Sequence, residues 1–129
     1  MQDSYDKWNS VKKDTNSEEL SVGFKQRDIF NVRVGQNIGF EQNGKGKEFV
    51  RPVLIYKGFS KNMFLGIPLT TTDRDGSFFY KFNFLEDKIS VALLVQAKLF
   101  SSKRLLNKIG VINKDDFKSL KRKYLKLVE

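Results

Sequence analysis

From Asp28 to Val95 the chain is a series of short apolar runs divided by turn-forming residues, and a helical apolar stripe appears only after Asn113. That order constrains the fold more than any single residue does. Several short strands followed by one helix predict a small, strongly bent sheet or barrel with the helix packed on it. "DIFNVRVG" (Asp28–Gly35) sets Phe30, Val32 and Val34 against Asn31 and Arg33 and closes on a glycine, the pattern of a half-buried strand. Further strands are predicted over Pro52–Tyr56, Phe64–Thr70, Ser77–Phe84 and Ile89–Val95, with a turn at "DRDG" (Asp73–Gly76). A connector follows, with a short final strand near Lys108–Ile112. Asn113 then caps a helix that carries Asp115 and Asp116 in its first turn, where carboxylates suit the helix dipole. Phe117, Leu120, Tyr124 and Leu127 form its apolar stripe, and its lysines read as a solvated face.

Two stretches lie outside this pattern. Residues 1–21 are polar, with Tyr5, Trp8 and Val11 spaced by three and Asp3 as a cap, and predict a short helical extension ahead of a domain over residues 22–129. "QNIGFEQNGKGKEF" (Gln36–Phe49) is too glycine-rich for a regular element and reads as a loop.

At 129 residues the chain is long enough for one domain with a core of its own. It contains no cysteine and no histidine, which removes disulfides, thiolate metal sites, the usual zinc ligand and the usual neutral-pH acid–base group. No metal site or cofactor is expected, and any catalysis must use carboxylates, hydroxyls, Lys, Arg or Tyr. Lysine and arginine number 24 against 15 aspartates and glutamates, a net charge of +9 that suits an anionic partner: RNA, DNA or an acidic protein. No run approaches the ~20 apolar residues of a membrane span, and the polar start of the chain has no apolar signal core, so a cytoplasmic protein is expected.

Within "EFVRPVLIYKGFSKNMFLGIPLTTT" (Glu48–Thr72), Arg51 opens one predicted strand and Thr70, Thr71 and Thr72 close the next. If the two ends meet, they place a guanidinium and a hydroxyl cluster around one phosphate. Taken singly, each has an ordinary reading: a solvated arginine, and threonines that favour strands and turns.

The order of "GFEQNGKGKEFVRPVLIY", "IPLTTT" and "SVALLVQAKLFSSKRLLNKIG", followed by a closing helix, resembles the MazF/PemK toxins of type II toxin–antitoxin systems over roughly residues 24–128. The resemblance implies a mainly β fold, an SH3-like small β-barrel of the MazF/PemK/CcdB kind, with a C-terminal helix. It implies a homodimer that cleaves single-stranded, mRNA-type RNA sequence-selectively and without a metal, and a cognate antitoxin whose acidic or apolar tail covers the RNA groove. Carried over by position, the catalytic arginine falls on Arg51, the catalytic threonine on Thr70 and the loop glutamate on Glu41, beside Gln42. Gln96 matches the glutamine after the fifth strand, and Lys98 stands where relatives have arginine. Val95 replaces an acid found in some relatives, which leaves Glu41 as the candidate proton acceptor.

The implied chemistry is attack of the RNA 2′-OH on the adjacent phosphorus, giving a 2′,3′-cyclic phosphate and a 5′-OH. Arg51 suits the crowded phosphorane, since its guanidinium stays charged and offers paired donors. Thr70 and Thr71 offer hydroxyls, Lys45, Lys47 and Lys98 can meet flanking phosphates, and Phe40 and Phe49 can stack on splayed bases. Two alternatives use the same surface: a nucleic-acid-binding barrel without cleavage, and a toxin of the same fold that poisons a protein target, as gyrase-inhibiting CcdB relatives do.

Overall fold

The computed structural model describes residues 23–35, 49–85 and 88–129. Within them seven strands precede one helix: β1 (Asp28–Gly35), β2 (Phe49–Ser60), β3 (Met63–Thr70), β4 (Phe79–Leu85), β5 (Lys88–Leu93), β6 (Lys98–Ser101), β7 (Leu105–Val111) and α1 (Lys114–Val128). The helix expected over residues 1–21, and with it the division of the chain near residue 22, lies outside the described residues.

All pairings are antiparallel, as short hairpin connections require. The order is β4-β5-β3-β2-β1-β7, with β6 beside β3. β3 therefore changes partner along one edge: Met63–Gly66 pair with β6, whereas Leu69 and Thr70 pair with β5. β6 and β7 flank opposite sides of the β3-β2-β1 core, yet only a 3-10 turn, Ser102–Arg104, joins them. Such a short link requires the sheet to curl until its sides approach. Register shifts in β2 between Ile55 and Lys57 and between Gly58 and Ser60 supply the bend.

The curl stops short of the SH3-like barrel that the family resemblance implies, and matches the strongly bent sheet that the strand pattern also allows. Among the described residues no pairing joins β7 to β4 or to β6. Between β4 and β7 the gap is filled by side chain, with the Phe84 ring packed directly over Gly110. An aromatic ring in that place holds two strand backbones farther apart than a ladder spacing of about 4.8 Å.

Alternation along the strands creates two apolar clusters, one on each side of the sheet. Ile29, Leu54, Ile67 and Leu69 join Phe82, Ala92, Phe117 and Leu120 in the cluster beneath α1. Phe30, Val32, Val53, Ile55, Phe64, Phe100 and Leu105 form the other, inside the curl. The helix begins where Asn113 was expected to cap it: the Asn113 side-chain oxygen accepts from the Asp116 backbone N–H at 2.8 Å. Asp116 in turn accepts from the Tyr80 hydroxyl at 2.7 Å, tying α1 to β4. Burial, and then this bond to a carboxylate, push the Tyr80 phenol above its ordinary value.

Gly66 is required by packing inside the curl. A Cβ there would stand 2.6 Å from a Val53 methyl and 2.9 Å from the rings of Phe64 and Phe100. Those two rings stack at 5.4 Å and have little room to move. Gly66→Ala is expected to cost about 2 kcal/mol, in the range of core overpacking. Urea unfolding should show a lower midpoint with an unchanged slope, and an unchanged midpoint would contradict this packing.

Candidate active site

The two strand ends singled out in the sequence lie at the same end of the sheet. The β2–β3 ladder runs through Leu54–Ile67 to Val53–Pro68, and the next same-face position along each strand is Arg51 and Thr70. Arg51 shares its face with Val53 and Ile55, and Thr70 shares its face with Phe64 and Gly66, because side chains alternate. Both therefore stand on the side of the inner cluster, at its rim. Arg51 is exposed, and among the described residues it has no carboxylate or hydrogen-bond partner. Across β1 it pairs in register with Val32.

Thr70 is half-buried, and its side-chain oxygen accepts the Thr72 backbone N–H at 3.2 Å. That local turn fixes the hydroxyl through an oxygen lone pair and leaves its proton free to donate. Thr71 is exposed in the same turn.

Along the other edge of β3 the chain passes from β5 through a 3-10 turn, Leu94–Gln96, into β6. Thr70 pairs with Val91 before this turn, and Gly66 pairs with Lys98 after it. Gln96 thus lies beside β3 between those two pairings, exposed. Lys98 shares its face with Phe100, and its ammonium sits 5.2 Å from the centre of that ring. The ring faces inward and the charge outward, as a cation–π contact at a rim allows.

Two features here were not singled out from the sequence. Arg104, the last residue of the 3-10 turn that leads into β7, donates to the Arg33 backbone carbonyl at 3.2 Å. Since Val32 pairs with both Arg51 and Leu105, a second guanidinium stands at the same sheet end, two strands away. The order of strands in the sheet, rather than any spacing in the chain, brings it there.

The second feature is Lys81, which bridges Asp73 at 2.8 Å and Asp75 at 2.7 Å. These carboxylates follow the threonines directly and would otherwise repel a phosphate. The Asp73 bond, then the Asp75 bond, push the Lys81 ammonium up to about 12, and Lys81 holds the Asp75 carboxyl below its ordinary range. The lowered carboxyl loses its contribution only as pH falls through its depressed value. The raised ammonium loses its own only as pH rises through about 12. The bridge is therefore intact throughout the neutral range, although all three side chains are exposed and its share in stability is small.

Phe49 is 44% exposed and shares a face with Arg51, so an accessible ring flanks the guanidinium. Phe40, Glu41, Gln42, Lys45 and Lys47 lie outside the described residues. They fall in the stretch of chain that joins the paired positions Gly35 and Phe49, and Phe49 lies two residues before Arg51. Among the described residues no group of three or more His, Cys, Asp and Glu could hold a metal ion. No helix among them is long and apolar enough to cross a membrane.

The fold is similar to those of several solved toxin structures. MazF from Deinococcus radiodurans superposes with a TM-score of 0.62 at 12% identity, covering 83% of this chain and 97% of that one. An endoribonuclease in complex with its cognate antitoxin, from a mycobacterial species, gives 0.61 at 10% identity over 80% of this chain and 92% of that one. The Mycobacterium tuberculosis toxin MazF-mt6 gives 0.55 at 18% identity over 74% and 93%. These likenesses establish a MazF-like fold, mainly β with one C-terminal helix. Sequence comparison with curated proteins gives no match. The sequence profile of one family, however, matches residues 25–128, nearly the whole of the described fold, and the chain belongs to the PemK-like, MazF-like toxins of type II toxin–antitoxin systems.

Proposed function

We propose that this toxin is an endoribonuclease that cleaves single-stranded, mRNA-type RNA sequence-selectively and without a metal, by attack of the 2′-OH. The observation that supports it most is the placement of an exposed Arg51, without a partner among the described residues, and Thr70 at one rim of the sheet, in a member of a toxin family with endoribonuclease neighbours. In the reaction the 2′-oxygen forms a bond to phosphorus and the bond from phosphorus to the 5′-oxygen breaks. The leaving oxygen takes up a proton and becomes a 5′-OH, while the other product ends in a 2′,3′-cyclic phosphate. Arg51 donates two N–H groups to the non-bridging oxygens, and Thr70 donates its hydroxyl to the same phosphate. Glu41 accepts the 2′-OH proton, the role left to a carboxylate in a chain without histidine. Gln96, Lys98, Thr71, Gln42, Lys45 and Lys47 hold the flanking backbone, and Phe40 stacks on a base beside the exposed ring of Phe49.

Incubating the protein with a long RNA in EDTA and mapping the new ends tests this reading. Cleavage should persist, with 5′-OH and cyclic-phosphate ends. Binding without cleavage would make the protein a nucleic-acid-binding module, and cleavage abolished by EDTA would overturn the metal-free step.

The toxin acts as a cytoplasmic homodimer and is neutralised by a cognate antitoxin, acidic where it crosses the groove. The net charge of +9 supports an acidic partner and faster association at low salt. Single-stranded RNA spans several nucleotides and one rim is short, which supports a paired groove. Light scattering should report a dimer at micromolar concentration, and a monomer there would count against it.

A further inference from the structure

The six cations of α1 fall into two groups. Lys121 lies 5.9 Å from the centre of the Phe117 ring, and Lys123 donates to the Phe79 backbone carbonyl at 2.6 Å. These two hold the helix to its own core and sheet. The other four, Lys114, Lys118, Arg122 and Lys126, are all exposed and have no ion pair, hydrogen bond or ring contact among the described residues. They recur every fourth residue, so they form one continuous row along the helix, with steps of about 6 Å and a length of roughly 18 Å.

Such a row is unfavourable for the protein alone. Like charges four residues apart on a helix repel one another. Lys114 also sits in the first turn, where a cation opposes the helix dipole. Asp116, which could offset it, is tied to Asn113 and Tyr80. Asp115 stands three residues before Lys118 without an ion pair to it, and Glu129 lies beyond the last turn. The middle of the face is therefore uniformly positive. It is also remote from the candidate active site: α1 covers the cluster of Leu54 and Ile67, whereas Arg51 and Thr70 project on the opposite side of the sheet.

We propose that this row is a second RNA-binding surface, which holds the phosphate backbone of the transcript outside the segment being cleaved. A line of cations with regular steps and no fixed partners matches a chain of phosphates, and each contact made would release counterions. The proposal rests on RNA as substrate. The row contributes affinity for long RNA without taking part in the chemistry.

The test compares the wild-type protein with the triple variant Lys118→Gln, Arg122→Gln, Lys126→Gln, and with the charge-conserving triple Lys118→Arg, Arg122→Lys, Lys126→Arg. Binding is measured on the Arg51→Ala background, so that RNA stays intact, with a long transcript and with a short oligoribonucleotide that just spans one cut. For the transcript, the neutral variant should bind at least ~10-fold more weakly, and its salt slope should fall by about 2, since each single-strand phosphate contact contributes roughly 0.7. The charge-conserving variant should bind as the parent does. Cleavage of the short oligoribonucleotide, measured with Arg51 in place, should be unchanged in all three. An unchanged transcript affinity and slope would overturn the proposal, as would equal losses on transcript and oligoribonucleotide, which would make the row part of the groove. Unchanged RNA binding with slowed association of the antitoxin would assign the row to a protein partner instead. If the wild type binds but cuts nothing, the cleavage reading fails while the salt slopes still decide the helix surface.

Discussion

Arg51→Ala is expected to lower the cleavage rate by ~100-fold or more, because a preorganised donor to transition-state charge is worth ~3 kcal/mol. The guanidinium is exposed, sits beyond the buried stretch Val53–Tyr56, and has no partner among the described residues, so removing it leaves no buried group unsatisfied. The variant should therefore melt where the parent does, and its loss should appear in kcat rather than in stability. RNA affinity should weaken only modestly, since many lysines remain. Thr70→Ala should cost less than Arg51→Ala, since a neutral donor is weaker than a charge-assisted one. It also removes the acceptor for the Thr72 N–H, so Thr70→Ser, which keeps that acceptor, should recover most of the rate. Single-turnover cleavage of a defined RNA, with thermal melts of each variant, checks both. Full activity in Arg51→Ala would place the active site elsewhere.

What could be read from the sequence follows from where each element gets its stability. β1 was legible to the residue because alternation of polar and apolar residues and a terminal glycine are local signals, although Ile29 as well as Phe30 and Val32 is buried, each face of the strand meeting an apolar cluster. The helix was legible because Asn113 and the stripe Phe117, Leu120, Tyr124 and Leu127 are local as well. β2 extends past its predicted end at Tyr56 to Ser60 through "KGFS", whose residues are exposed. Pairing with β3 keeps those residues extended, and pairing is not visible in composition. β6 has no signal of its own in the sequence for the same reason: four residues, "KLFS", become a strand only because Phe64 and Leu65 lie beside them. β5 ends at Leu93 rather than at the predicted Val95, because its apolar run continues without a turn residue into the 3-10 turn at Leu94. The open edge between β4 and β7 depends on Phe84 meeting Gly110, residues far apart in the chain. At the candidate site, the placement of Arg51 and Thr70 at one end of the sheet could be anticipated because one short hairpin joins their strands. Arg104 reaches the same sheet end only through the pairing of β7 with β1.

Replacing a single ribose by deoxyribose on the 5′ side of the cut tests the account most directly, because the proposed nucleophile belongs to the substrate. The step needs the 2′-oxygen to form the new bond to phosphorus, and no protein group replaces it. With a mapped cut site, the singly substituted RNA should bind with nearly unchanged affinity, since the proposed roles of Arg51, Thr70 and the flanking lysines are contacts to phosphates rather than to this hydroxyl. It should remain uncut over times in which the all-ribose RNA is fully cleaved, with or without EDTA. Equal cleavage of the deoxy-substituted strand would contradict the cyclic-phosphate mechanism and require a nucleophile from water or from the protein.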